Sequence, residues 1–436
     1  DTVVSHWGPI PPAGAGPYLE PRPVAAPFWK HLVRVPWYVG SVPVNAADWT
    51  VRWSLRKAEE LGLFEPVETI VRGVRDPLGN YWMPTGSIDG NRGIEFGLVG
   101  RRPHFPAPGW VTRLGATRST RRSRHLSLGT RSHLGQSEWL EIGGGSRRDP
   151  ELEFYGRGWD TAEDDESVYR CDLEWLGSSW RREWDGDLES TLAISYTTVW
   201  AGRSRFEVDE ALATVFAGRL PFGYGMRSSG VTASVKLGYD DTRISGNPQR
   251  GSRVVLRAER FWNTDDTDVA LWTWGVSLER YLRLWLPHRT LAVKAWWLRQ
   301  ESVGDDPIPF TRLLDNRDPY RLRGYDSHRF RATGFTGVTV EYRWPFWIFN
   351  HPGGAGLDAY VFGDVGQPFD RMEELAVARL RGSGGVGLRV NDTERQFLVR
   401  AEIAYGGDEM HVRLTARQLF DFIKAGFHEG HEPLPI

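Results

Sequence analysis

Apolar and polar residues alternate along most of this chain. Residues 231–239 set Val231, Ala233, Val235, Leu237 and Tyr239 on one face and Thr232, Ser234, Lys236 and Gly238 on the other. The same period of two recurs at 336–344, where Val338, Val340, Tyr342 and Trp344 oppose Gly337, Thr339, Glu341 and Arg343. It recurs again at 410–420, with Met410, Val412, Leu414, Ala416 and Phe420 against His411, Arg413, Thr415 and Arg417. That is the period of a strand with two unlike faces. About sixteen such segments, separated by Gly-rich and polar stretches, fall between residues 80 and 420. They predict an all-β chain, a transmembrane antiparallel β-barrel of about 16 strands.

Alternation alone also fits a soluble sandwich, whose apolar face is a core. Tryptophan separates the two readings. Trp262, Trp272, Trp274, Trp285, Trp296, Trp297, Trp344 and Trp347 lie at or near segment ends, as expected of aromatic girdles at two membrane interfaces. Connection lengths point the same way, since such barrels join strands by short turns on one side and longer loops on the other. The long connections at 148–166, 201–230, 301–333 and 367–382 all fall on the side predicted to be outer. The stretch 178–187 departs from this pattern.

The first 43 residues carry nine prolines, which forbids ladders and long helices there. Residues 1–79 are therefore expected to be a periplasmic arm, with a short helix within 48–61. Its aromatic side chains are too many to leave in water, so the arm must dock. Trp49, Trp53 and Arg56 are candidates to plug the lumen or lie at the inner lipid interface; binding a periplasmic partner is the rival reading. The barrel is expected over 80–420, with a tail at 421–436.

Composition narrows the class. Among 436 residues, 54 Lys+Arg against 56 Asp+Glu give a formal net charge of -2, which offers no bulk attraction to nucleic acid. No uncharged apolar run of about 18 residues appears, so no membrane-spanning helix is expected. Cys171 is alone, which excludes an intramolecular disulfide. The chain starts at Asp1 without a Met or an apolar leader, as a processed secreted protein would. His428 and His431 in the tail and the acids at 160–166 match no metal cage, so neither a metal nor a cofactor is expected. Ser327 and His328 sit in a loop without a third catalytic partner, so no catalytic residue and no enzyme activity are expected.

Five stretches remain: Phe154-Tyr155-Gly156-Arg157-Gly158; Arg321-Leu322-Arg323-Gly324-Tyr325-Asp326; Val340-Glu341-Tyr342-Arg343-Trp344-Pro345; Phe362-Gly363-Asp364-Val365-Gly366; and the closing run from Val412 to Phe420. In this order and spacing they resemble the barrel of the BamA/TamA family, the bacterial surface antigens. The resemblance covers about 80–420. It implies that the sixth outer loop carries the motif Arg323, Gly324 and Tyr325 and folds into the lumen. It further implies that Arg323 pairs with Asp364, that Glu341 also faces the lumen, and that Phe420 marks the terminal strand. Alternation independently turns Glu341 and Asp364 inward, and a guanidinium carried into a polar lumen seeks a carboxylate. The polypeptide-transport-associated (POTRA) domains of the family's assembly factors have no counterpart in 1–79, and sixteen residues follow Phe420.

The resemblance implies a Gram-negative outer-membrane protein with a role in inserting or translocating outer-membrane proteins or lipid, by a strained seam between first and last strands. Lumen charges such as Lys236, Arg257, Glu259, Lys294, Arg389, Arg400 and Glu402 keep a passive or plugged channel open as an alternative. A membrane anchor for a periplasmic or surface partner is a third. The partners expected are outer-membrane lipid or lipopolysaccharide and periplasmic or outer-membrane proteins.

Overall fold

The computed structural model describes Lys57, Val74–Arg75 and residues 79–416, apart from 90–92, 186, 205–209, 243–247, 285–288, 317–321, 349–355, 392–396 and 408. The arm with Trp49, Trp53 and Arg56, the terminal Phe420 and the tail lie outside the described residues. Sixteen strands follow in chain order. They are β1 (Tyr81–Asp89), β2 (Gly93–Pro103), β3 (Trp110–Ser119), β4 (Arg124–His133), β5 (Glu138–Phe154), β6 (Ser167–Trp184), β7 (Leu188–Gly202) and β8 (Arg227–Asp240). The second half is β9 (Gly251–Asn263), β10 (Ala270–Arg283), β11 (Thr290–Ser302), β12 (Gly334–Ile348), β13 (Gly356–Phe369), β14 (Arg381–Asn391), β15 (Phe397–Gly406) and β16 (Glu409–Ala416). Each pairs antiparallel with its neighbours, and β16 returns to β1, closing a barrel. Residues 178–184 continue β6 to Trp184, so the short turn before β7 restores the expected alternation of connections.

Alternation decides which side chains face out. Phe96, Leu98, Leu114, Leu126, Leu128, Ile142, Leu176, Ile194, Leu237, Leu256, Val338, Val386 and Val412 stand exposed on the outer wall. In water so large an apolar girdle would be an aggregation surface; against acyl chains it is the favoured one. Among the described residues no helix is long and apolar enough to cross a membrane, so the strands carry the crossing. Trp184, Trp262 and Trp274 are exposed on this wall. Trp296 is a correction: it faces inward and is buried, because its neighbour Trp297 takes the outward position of the same strand.

The lumen has two textures. Through its length toward the short turns, inward charges are cross-linked: Arg181 to Glu189 at 2.7 Å, Arg253 to Asp240 at 2.8 Å, and Lys294 to Glu279 at 3.5 Å. Lys236, Arg257, Glu259, Arg389, Arg400 and Glu402 share this inward register. Nearer the long-loop mouth, β5–β10 turn Phe154, Cys171, Leu173, Phe261 and Leu271 inward, and these pack on Phe310 and Leu313 of the loop before β12. There the apolar-out, polar-in alternation gives way, and inward apolar residues bury themselves against a loop inside the barrel.

The wall is uneven. β5–β13 have 13 to 18 residues each, whereas β1–β4 and β14–β16 have 8 to 11. The short strands flank the junction of β1 and β16. Among the described residues their register comprises Leu414↔Ile88 and Thr415↔Ser87, so the last turn of β16 meets the far end of β1. Below that, Val74–Arg75 pairs with Tyr81 and Trp82 and occupies the edge of β1.

A chain with this outer wall is expected to need detergent, to give strand-dominated circular dichroism, and to run on gels at different positions before and after boiling. A monodisperse product in buffer without detergent would rule out the membrane-spanning reading.

Candidate functional site

The longest described connection, residues 303–333 between β11 and β12, enters the barrel rather than leaving it. Its path is fixed by residues that suit an interior. Leu322 and Phe330 are buried against inward Trp296, Leu298 and Phe335. Asn316 bridges the loop to itself, accepting from the Leu322 amide at 2.6 Å and donating to the Asp326 carbonyl at 2.8 Å. At the turn, an added Cβ on Gly324 would sit 2.5 to 2.6 Å from backbone atoms of Tyr405 and Gly406 in β15. Only glycine admits that approach. Tyr325 then packs edge-on against Phe330, with centroids 5.1 Å apart, and its hydroxyl donates to the Gly382 carbonyl at 3.3 Å.

This geometry presents Arg323 to β12, β13 and β15. Its Nε and Nη2 donate to the two oxygens of Asp364 on β13, at 2.9 and 2.7 Å, and its backbone amide donates to Asp364 Oδ2 at 3.1 Å. Nη1 donates to Glu341 on β12 at 2.6 Å and to Glu402 on β15 at 3.3 Å. The guanidinium carbon lies 3.5 Å from the centroid of the Phe362 ring. Asp364, wholly buried, also accepts from Thr339 at 2.8 Å and Ser383 at 3.3 Å. Surplus negative charge is met outside the first ring of contacts: Arg343 donates to Glu341 at 2.7 Å, Arg400 lies 3.3 Å from Glu402, and Tyr360 donates to Glu402 at 2.8 Å. One cation held by a bidentate carboxylate and a second and third acceptor, with a ring face beneath, is a strong anchor in a low-dielectric interior.

Two further arginines of the loop were not singled out in the sequence. Arg312 is buried with its cation over the Phe261 ring at 3.9 Å, donating to the Ser228 hydroxyl and carbonyl at 2.8 and 2.9 Å. Burial among neutral groups pushes its pKa down to about 9, which still leaves it charged near neutral pH. Arg331 donates to the Phe310 carbonyl at 3.0 Å and the Tyr169 hydroxyl at 2.9 Å. Nothing local marks these residues, because their partners are distant in sequence and uncharged. His328, expected to lack a partner acid, has one: its Nδ1 lies 2.6 Å from Asp315 Oδ2, across the strand-like pairing of Leu314 with Ala332. The pair is buried inside the loop and ties its two limbs together.

Other long loops close over the first. Arg157 clasps Asp370 with two bonds of 2.8 and 2.9 Å, and the Thr333 amide donates to the same carboxylate at 3.0 Å. Arg329 lies over the Tyr155 ring at 4.5 Å and donates to Thr161, and Arg381 donates to the Trp159 carbonyl at 3.1 Å. Thus the connections 155–166, 303–333 and 370–380 form one lid at the long-loop mouth. Burial disfavours the charged form of Asp370, but the bonds from Arg157 and Thr333 outweigh it and hold the carboxyl below its ordinary range. Burial lowers the pKa of Arg329 and raises that of Tyr155. Among the described residues no cluster of His, Cys, Asp or Glu could hold a metal ion.

No protein-family model and no curated protein matches the chain. Solved structures do. The barrel is similar to BamA from Haemophilus ducreyi lacking POTRA domains 1-3, with a TM-score of 0.56 and 14% identity over 77% of this chain and 69% of that one. It is also similar to CdiB from Escherichia coli, with a TM-score of 0.50 and 11% identity over 77% of this chain and 62% of that one. At such identity the likeness is one of fold: a sixteen-stranded barrel of the BamA type.

Arg323→Ala leaves three buried carboxylates without their shared cation, a loss of about 3 to 5 kcal/mol where the site is dry. The folded gel band is expected to melt at a lower temperature, with a similar drop for Gly324→Ala because the Cβ meets backbone; unchanged melting in both would mean that the loop is not anchored here. For Asp370 the folded pKa is depressed, so its contribution is present above the unfolded value near 4 and fades as pH falls through the folded value. The difference in thermal stability between the parent and Asp370→Asn is therefore expected at pH 7, should begin to shrink near pH 4, and should vanish only once the pH passes below the folded value.

Proposed function

We propose that the chain is a Gram-negative outer-membrane barrel that helps insert or translocate outer-membrane proteins or lipid through its β1–β16 seam. The observation that carries this reading is a barrel of the BamA type that closes where β16 meets β1, flanked on both sides by the shortest strands of the wall. Among the described residues the junction register comprises Leu414↔Ile88 and Thr415↔Ser87. Opening a junction between first and last strands exposes an edge that templates another strand. The short strands on both sides of the junction lower the hydrophobic wall there. A short wall is accommodated by local thinning of the bilayer. Similarity to the barrel fold of BamA supports the same reading.

The lumen anchor fits this role. Arg323 ties the sixth loop to β12, β13 and β15, within four strands of the seam, so the barrel can loosen at its edge while the rest keeps its shape. The lid and the loop inside the barrel oppose a wide permanent pore, which disfavours the passive channel.

A lock across the seam is the direct test. Ile88 and Leu414 are register partners, and opposed residues of antiparallel strands lie within disulfide reach. Cys171 is buried and does not compete. Ile88→Cys/Leu414→Cys is expected to support insertion of other barrels into membranes when reduced and to lose that activity when oxidised. An oxidised barrel that inserts as well as the reduced one would overturn the seam mechanism.

For the arm, deleting residues 1–79 is expected to raise single-channel conductance in planar bilayers if the arm plugs the lumen. Conductance already large and unchanged by the deletion would instead assign the arm to a periplasmic partner.

A further inference from the structure

On the outer wall, three arginines from successive strands stand directly opposite one another. Arg118 of β3 is the register partner of Arg124 of β4, and Arg124 is the register partner of Arg148 of β5. All three are exposed. Like charges placed directly opposite in a sheet repel and destabilise it, and nothing in the fold requires arginine at these positions. The acid that continues the row, Asp172 of β6, is already engaged by Arg148 at 3.0 Å and by Arg170 at 3.0 Å. Glu174, outward and two residues farther along β6, lies opposite Ser146 rather than an arginine. Arg118 and Arg124 make no ion pair among the described residues.

The surface beside this row has the opposite character. One step down the wall the register places Ala116 beside Leu126, and the next step places Leu114, Leu128, Gly144 and Leu176 in line. Gly144 leaves a shallow trough between exposed leucines. The row itself lies at the β3–β4 turn, at the same end of the barrel as the lid. Near β10 and β11 this rim is acidic instead: Asp265, Asp266 and Asp268 before β10, Glu301 near the end of β11, and Asp305 and Asp306 after it. The arginine row lies at the border where an apolar belt gives way to charge.

We propose that Arg118, Arg124 and Arg148 form a binding site for the phosphorylated headgroup of an outer-leaflet glycolipid, whose acyl chains lie along Leu114, Leu126, Leu128 and Leu176. The assignment rests on the outer-membrane reading above, which puts the lid end outside. A phosphate between opposed guanidinium groups turns repulsion into charge-assisted hydrogen bonds, and arginine's planar fork suits phosphate oxygens. The apolar trough below discriminates a lipid from a free anion. The site sits on β3–β5, three strands from the seam, so a lipid held here would fix the position of the low wall in the bilayer.

The test uses the folded full chain in detergent, with bound lipid counted by native mass spectrometry. The probes are bisphosphorylated lipid A, its dephosphorylated form and inorganic pyrophosphate. The parent is expected to retain bisphosphorylated lipid A, and Arg118→Gln/Arg124→Gln to bind it at least tenfold more weakly. Arg371→Gln, on the exposed connection 370–380, should bind as the parent does. Without lipid, the double variant should melt at the same or a higher temperature at low salt, because it loses repulsion and no ion pair. Equal binding by the double variant, equal retention of the dephosphorylated lipid, or pyrophosphate binding as tightly as lipid A would each overturn the site. A barrel that inserts substrates without holding lipid A sinks this site alone, and one that holds lipid A yet works with its seam locked sinks only the insertion mechanism.

Discussion

Arg323 is the constraint on which the rest of the lumen depends. Glu341, Asp364 and Glu402 come from three strands and converge to one small volume, where three carboxylates without a cation would repel at short range. The guanidinium that reconciles them arrives on a loop, so the three strands meet the loop at one shared cation and the loop is anchored inside by their carboxylates. Apolar packing follows from the same placement. Once the loop is drawn in, Leu322 and Phe330 bury against Trp296 and Phe335, and Phe310 and Leu313 cover the inward apolar residues of β5–β10.

The lid inherits its position from the anchored loop. Arg329 and Arg331 leave that loop for residues of 155–169, and Thr333 at its end meets Asp370, so the outer loops close on a fixed base rather than on each other alone. The outermost clasp, Arg157 with Asp370, is partly exposed and contributes less per bond than the buried anchor. Stability is thereby graded from a rigid interior to a lid that is easier to open, and openings of low cost are where proteins place their moving parts.

Against this interior stands the junction of β16 and β1. The long strands and the loop-filled lumen lie on the β5–β13 side, while the junction lies between the shorter strands. An asymmetry of this kind lets one edge yield without unfolding the whole sheet. The opposed arginines on β3–β5 belong to the same economy of placement: they sit where the short strands β3 and β4 meet the long β5.

How much of this could be read along the chain depends on whether the information is local. Period-two alternation determined the number of strands, the outward apolar wall, and the inward direction of Glu341, Asp364, Arg389 and Glu402, because successive side chains of a strand must point to opposite faces. The same rule assigns Trp296 and Trp297 to opposite sides, a point obscured when tryptophans are grouped by their nearness to segment ends. Strand ends in β5 and β6 were blurred because both extend beyond the alternating stretch into Asp149 to Phe154 and Trp180 to Trp184, where polar and aromatic residues mix. Only the tertiary structure decided which carboxylates share Arg323, that Arg312 and Arg331 donate to neutral partners, that His328 meets Asp315, and that Arg118, Arg124 and Arg148 stand in line. Each of these depends on the register between strands or on the path of a long loop, and register is set by packing and closure of the whole barrel rather than by any neighbour in sequence.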